Sequence, residues 1–195
     1  YKELESKYLS PPYDRDEVNV LAGLFRVFSY DFVELLNGQF SILIYFANEK
    51  KLALFRDPLG IRPLFFSSNL DDSRLIVGSD LNSFWDYGVK KKVNIYELSR
   101  LHLTWSSSSN RTIWQSVDQV SPGHINIFQY FEGRFHFSKD IQFWNFAEKI
   151  SKQNNNNHTK FNNDIKAEFK HEFKQSIKRQ SMSDVGSGCY LSGGI

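Results

Sequence analysis

The sequence predicts an α+β protein: a layered sandwich built on antiparallel strands, followed by the opening of an α/β domain. Three observations predict it. Apolar runs of strand length recur at short intervals from Gln39 to Asp80 and again from His124 to Asp140. A polar, Asn-rich stretch, Ser151 to Asp164, then interrupts the pattern. Beyond it comes an amphipathic helix and the run GCYLSGG, in the order in which parallel α/β units begin.

The elements follow in chain order. YKELESKY reads as a short helix stopped at Pro11-Pro12. In DEVNVLAGLFRVF, Val18, Leu21, Leu24 (or Phe25) and Phe28 recur at three- and four-residue spacing, so a helix starts near Asp14 or Asp16. QFSILIYF, KLALFRD, RPLFFSS and SRLIVGSD read as four strands joined by short turns, hence one antiparallel sheet. Their apolar residues fall on both faces, so both faces are covered. LNSFWDYG reads as a helical turn and SSSSN as a loop. HINIFQYF and RFHFSKD form a hairpin about Glu132-Gly133. Ile165, Phe169, Phe173 and Ile177 make one apolar stripe of a helix ending near Ser181 to Asp184. GCYL is then expected to be a short buried strand. The division is residues 1–150, a linker 151–164, and 165–195 as the start of a second domain.

Composition narrows the functional classes. The 195 residues hold 24 basic and 22 acidic side chains, a formal net charge of +2, which gives no reason to expect nucleic acid or an acidic membrane as partner. No apolar stretch approaches the roughly 20 residues that cross a bilayer. One cysteine, Cys189, excludes an intrachain disulfide and suits a reducing, cytoplasmic setting. The five histidines show no metal-ligand spacing, so no metal site made of protein ligands alone is expected.

A strand running into Ser192-Gly193-Gly194 leaves successive backbone N–H groups free to converge on an anion. Glycine is required where a Cβ would obstruct a phosphate or resist positive φ. In this position MSDVGSGCYLSGG resembles the entry to the pyrophosphate-loop domain of glutamine-dependent asparagine synthetases. LLNGQFSILIYF is similar to that family's Leu-x-Gly-x-Phe strand, and FRDPLGIRPLFF to its Arg-Asp-x-x-Gly-x-x-Pro-Leu stretch. VGSD stands where the family has Ser-Glu; VSPGHINIF and FW match its Pro-Gly-His and closing aromatic-Trp segments.

The resemblance implies an αββα sandwich of N-terminal-nucleophile hydrolase type in its glutaminase part. Ammonia released there from glutamine passes to a synthetase part, which uses ATP and Mg²⁺ to adenylate aspartate and form asparagine. It further implies that Leu191 borders the adenosine of ATP, that Ser192, Gly193 and Gly194 begin the phosphate cradle, and that Asp14 or Asp16 takes the α-ammonium of glutamine. A plain helix N-cap is an equal reading of either aspartate. The family's N-terminal Cys nucleophile has no counterpart at Tyr1, nor in Cys189, which the strand reading buries. The chain reads as cut at both ends, so the expectation is an inactive fragment of such an enzyme, with a homodimer as one reading of its assembly. Arg56 and Asp57 are read as an ion pair ordering the turn that holds Gly60 and Pro63.

Two other readings stay open. RDPLGIRPL fits glutamine phosphoribosylpyrophosphate amidotransferase as well, and a β-lactam synthetase or another amide-forming relative shares the same start. A different class is a non-catalytic structural or partner-binding subunit from a degenerate or split gene.

Overall fold

The computed structural model describes residues 2–9, 16–68, 73–108, 110–153, 163–181, 185–186, 188–191 and 193. The chain divides into two compact units, Tyr1–Phe146 and Ala147–Ile195.

The first unit opens with α1 (Lys2–Tyr8) and α2 (Glu17–Phe28), then a 3₁₀ helix, Ser29–Leu35. Strands β1 (Ser41–Phe46) and β2 (Lys51–Arg56) form a hairpin in the register Ser41↔Arg56 to Phe46↔Lys51. Strands β3 (Phe65–Ser67) and β4 (Ile76–Gly78) lead to α3 (Asn82–Asp86) and α4 (Ile95–Thr104). The short β5 (Asp118–Gln119) precedes the long hairpin β6 (His124–Phe131) and β7 (Arg134–Gln142). Glu132 and Gly133, at φ 50° and 80°, turn that hairpin as its sequence predicts.

The first four strands do not make one sheet. The structure has two antiparallel sheets, ordered β1-β2-β6-β7 and β4-β3-β5. Short connections suggested neighbours, but the turn after Arg56 carries the chain from one sheet to the other.

Side-chain alternation then builds four layers. Ala53, Phe55, Ile125 and Ile127 face Val20 and Leu24 of α2 and Phe32 and Val33 of the 3₁₀ helix. Leu52, Leu54 and Phe128 project from the opposite face and meet Leu64, Phe66 and Val120, which fills the space between the sheets. On the outer face of the smaller sheet, Phe65 and Ile76 pack with Phe84 of α3, Val89 and Val117. The order is helix, sheet, sheet, helix: an αββα sandwich. β2 is buried on both faces, which accounts for its unbroken apolar run.

Two elements between Leu81 and Gln119 were not visible in the sequence. One is β5, only two residues long. The other is α4, although Asn94 and Glu97 carry an Asn-x-x-Glu start signal. Asn94 Oδ1 accepts from Glu97 N (3.4 Å) as an N-cap, but the Glu97 carboxylate turns away to accept from the N–H and Oγ of Ser108.

At the start of the second unit, α5 (Phe146–Gln153) runs into the first three residues of the stretch read as a linker, and α6 spans Asn163–Gln180. The stripe on α6 is present but uncovered: Phe169, Phe173 and Ile177 are all exposed. GCYL is not a buried strand. Gly188, Cys189, Tyr190 and Leu191 have no strand pairing and are exposed. A parallel strand is buried only by flanking strands and helices, and the described residues of this unit contain no other strand. Among the described residues, no helix is long and apolar enough to cross a membrane.

Candidate functional site

Three of the motifs singled out in the sequence, RDPLG, SPGH and FW, converge where β2 gives way to the turn at residues 57–63. Asp57 is almost fully buried, and its carboxylate is held by that turn. Oδ1 accepts from Leu59 N (3.1 Å) and Ile61 N (3.0 Å), and Oδ2 from Arg62 N (2.9 Å). Hydrogen bonds from three amides stabilise a carboxylate without a cationic partner.

Arg56, also buried, braces the turn from beneath. Its Nε donates to Arg62 O (3.1 Å) and Nη2 to Gly60 O (2.9 Å), while Nη1 donates to Val120 O (2.7 Å) and Gln119 Oε1 (3.1 Å). Burial pulls this guanidinium below its ordinary pKa, opposed by the nearby Asp57 charge. The expected Arg56–Asp57 ion pair is therefore corrected. The two side chains point to different partners, and each orders the turn through its backbone. Gly60 adopts φ +64°, and a Cβ there would lie 2.8 Å from Pro122.

The Pro-Gly-His motif locks in from the other side. Gly123 N donates to Asp57 O, and Gly123 O accepts from Phe143 N (3.0 Å) and Trp144 N (3.2 Å). A Cβ on Gly123 would sit 2.7 Å from Trp144 O. RDPLG, SPGH and FW, distant in sequence, thus meet backbone to backbone. Gln119, which sequence reasoning missed, ties this hub to the serine loop: its Nε2 donates to Ser108 O (2.9 Å) and Arg111 O (3.0 Å). In VGSD, Asp80 Oδ1 accepts at 3.2 Å from the N–H of Asn82, the first residue of α3.

None of the predicted ligand-binding residues is among those that build this hub. Asp16 is the exposed N-cap of α2, accepting from Val18 N at 3.3 Å. Asp14 lies outside the described residues, as do Ser192 and Gly194. Leu191 is exposed. Gly193 adopts φ +70°, and a Cβ there would meet nothing within 4 Å. Its backbone is open to a ligand, and its conformation is one that suits glycine.

This hub of turns on an αββα frame, together with the profile that matches it, marks an amidotransferase domain. The chain belongs to the glutamine amidotransferase domain family, whose profile matches residues 2–139. It is 27% identical over 184 residues to asparagine synthetase [glutamine-hydrolyzing] 3 of Bacillus subtilis (strain 168), covering 92% of this chain and 27% of that protein. It is 24% identical over 181 residues to amidase chyE of Penicillium rubens, covering 92% of this chain and 25% of that protein. Among solved structures, it aligns with the glutamine phosphoribosylpyrophosphate amidotransferase of B. subtilis, complexed with ADP and GMP. That alignment has a TM-score of 0.42 and 17% identity, and covers 73% of this chain and 26% of that one. The chain thus spans about a quarter of the length of these curated relatives.

Proposed function

We propose that the intact protein is a glutamine-hydrolysing synthetase that forms an amide at an ATP-activated carboxylate, with aspartate as acceptor and asparagine as product. The observation that carries this reading is how far the similarity runs. The amidotransferase profile ends at residue 139, yet the asparagine synthetase match takes in 92% of the 195 residues, more than that interval holds. The likeness therefore extends into the second unit, and the match to asparagine synthetase [glutamine-hydrolyzing] 2 of Bacillus subtilis covers 100% of the chain, the Ser-Gly-Gly motif included.

The chemistry is coherent. A carboxylate does not accept ammonia until one oxygen becomes a good leaving group, and transfer to AMP supplies that. In this reading Gly193 and its neighbours, Ser192 and Gly194, offer backbone N–H groups to the phosphates, with Leu191 beside the nucleoside. The open side and positive φ of Gly193 fit that role. Mg²⁺ would arrive with the phosphates, as it usually does at nucleotide sites. Among the described residues the Asp16 side chain makes one hydrogen bond, its cap bond through Oδ1, which leaves Oδ2 to suit an α-ammonium ligand. The matched span 2–139 contains no cysteine, so that span supplies the hub but no thiol nucleophile of its own.

The amidase match, with equal coverage, favours one further reading: the same two-part chemistry on an acceptor other than aspartate. Gly193→Val in the intact protein tests the shared core of both. The expected result is loss of ATP-dependent amide formation even with ammonia supplied directly, while glutamine hydrolysis persists. Unchanged amide formation would overturn the assignment of the turn.

A further inference from the structure

The larger sheet has two edge strands, β1 and β7, and only one of them is defended. β7 carries Arg134, His136, Lys139 and Asp140 and meets β6 through a register shift at Ile127/Phe128. Charges and bulges of this kind keep foreign strands from pairing. β1, SILIYF, has neither: its pairing with β2 is unbroken, and it holds no Lys, Arg, Asp, Glu or Pro.

The register shows what that edge offers. Asp57 N donates to Phe40 O at 3.0 Å, which makes Phe40 and Asp57 a hydrogen-bonded pair at the end of the β1–β2 ladder. Such pairs alternate, so Ile42, Ile44 and Phe46 turn their backbone groups to β2. The N–H and C=O groups of Ser41, Leu43 and Tyr45 point outward, and among the described residues nothing bonds to them. Leu43 and Tyr45 stand opposite Leu54 and Leu52, so their side chains lie on the face between the sheets. The smaller sheet covers β2 and β6 there but stops short of β1: Leu43 is 50% and Tyr45 54% exposed.

This edge is its own complement. A two-fold axis through Leu43, normal to the sheet, runs β1 antiparallel to β1 of a second copy. It sets Leu43 against Leu43 and Tyr45 against Ser41, so each outward N–H meets a C=O. The pairing brings no like charges together and places each Tyr45 ring beside a small serine and diagonal to Leu43. We propose that β1 pairs with β1 of a second copy of this chain in the register Leu43↔Leu43, joining the two larger sheets into one. The paired edge is about 20 Å long, a small contact, so the dimer is weak and concentration-dependent. Nothing in this pairing depends on the synthetase reading.

Sedimentation equilibrium of the 195-residue chain over a wide concentration range, under reducing conditions, tests it. The expected result is a monomer–dimer equilibrium that Leu43→Lys weakens by about tenfold or more, with an unchanged circular dichroism spectrum. Tyr45→Lys serves as the second variant and should do the same. Disulfide trapping, with Cys189→Ser in the background, reads the register. Leu43→Cys should cross-link to itself on mild oxidation, because hydrogen-bonded antiparallel pairs hold their Cα atoms about 5.5 Å apart, within disulfide reach. Ile44→Cys, whose side chain packs on the helix side of the sheet, should not. A monomer at every concentration overturns the proposal, including one whose Leu43 and Tyr45 amides resist hydrogen exchange because another segment of the same chain covers β1. A dimer that both Lys variants leave intact overturns it as well. Cross-linking of Ile44→Cys as fast as Leu43→Cys overturns the register.

Discussion

Asp57 and Gly123 are joined backbone to backbone: the N–H of Gly123 donates to the carbonyl of Asp57 at 3.0 Å. The bond links the turn that leaves β2 to the turn that enters β6. Through Gly123 O it also takes in Phe143 and Trp144. Most of what was recognisable about the family in this sequence is gathered around that contact.

Asp57→Ala should therefore cost about 3 kcal/mol, since three turn amides lose their acceptor in a buried place. Asp57→Asn keeps one carbonyl oxygen and should cost less. Urea denaturation of both variants measures the difference. Equal and negligible losses would mean that the turn is ordered by other groups.

Glycine substitutions separate conformation from space. Gly88 and Gly123 both have positive φ, but a Cβ on Gly88 meets nothing within 4 Å, whereas one on Gly123 meets Trp144 O. Gly88→Ala should cost about 1 kcal/mol from backbone strain alone. Gly123→Ala should cost roughly 1–3 kcal/mol more. Thermal melts of the two variants give the comparison.

Ser29 caps α2 at φ 52°, ψ −137°, a region that favours glycine. Ser29→Gly should stabilise the protein by about 1 kcal/mol through relief of that strain. A lower melting temperature in the variant would contradict this.

Asp118 and Glu97 should show opposite pH behaviour. Burial holds the Asp118 carboxyl above its ordinary 3.8, opposed by Arg111. Its charged form costs stability above the raised folded value, and the cost is relieved as pH falls through that value. Asp118→Asn should accordingly gain on the parent at neutral pH and lose that advantage in acid, after the lost Arg111 pair is allowed for. Hydrogen bonds from Ser108 hold Glu97 below 4.5. Its stabilisation is present above 4.5 and is lost as pH falls through the lowered folded value. Glu97→Gln should therefore be the less stable form at neutral pH, with the gap closing in acid. Melting curves from neutral to acid pH report both signs.

The strands were legible in the sequence wherever burial on both faces made an unbroken apolar run, as in KLALF. Their partition into two sheets was not, because a turn that stays within a sheet and one that leaves it can use the same Pro and Gly. Gln119 was invisible for a related reason: its role lies in joining Arg56 to Ser108 and Arg111, contacts far apart in the chain. The two charges of Arg56 and Asp57 suggested a pair by adjacency, but Arg56 ends β2 and Asp57 begins the turn, and each side chain is taken up by backbone groups of that turn. Cys189 was misplaced because an apolar run signals a buried strand only where neighbours exist to cover it.

The most direct measurement of the central claim follows the amide nitrogen. The intact protein is supplied with glutamine labelled with ¹⁵N at the amide, together with aspartate, ATP and Mg²⁺. The predicted result is ¹⁵N in the side-chain amide of asparagine, formed only when ATP is present and accompanied by AMP and pyrophosphate. Labelled ammonia released with no ATP-dependent amide on aspartate or on any other carboxylate offered would contradict it.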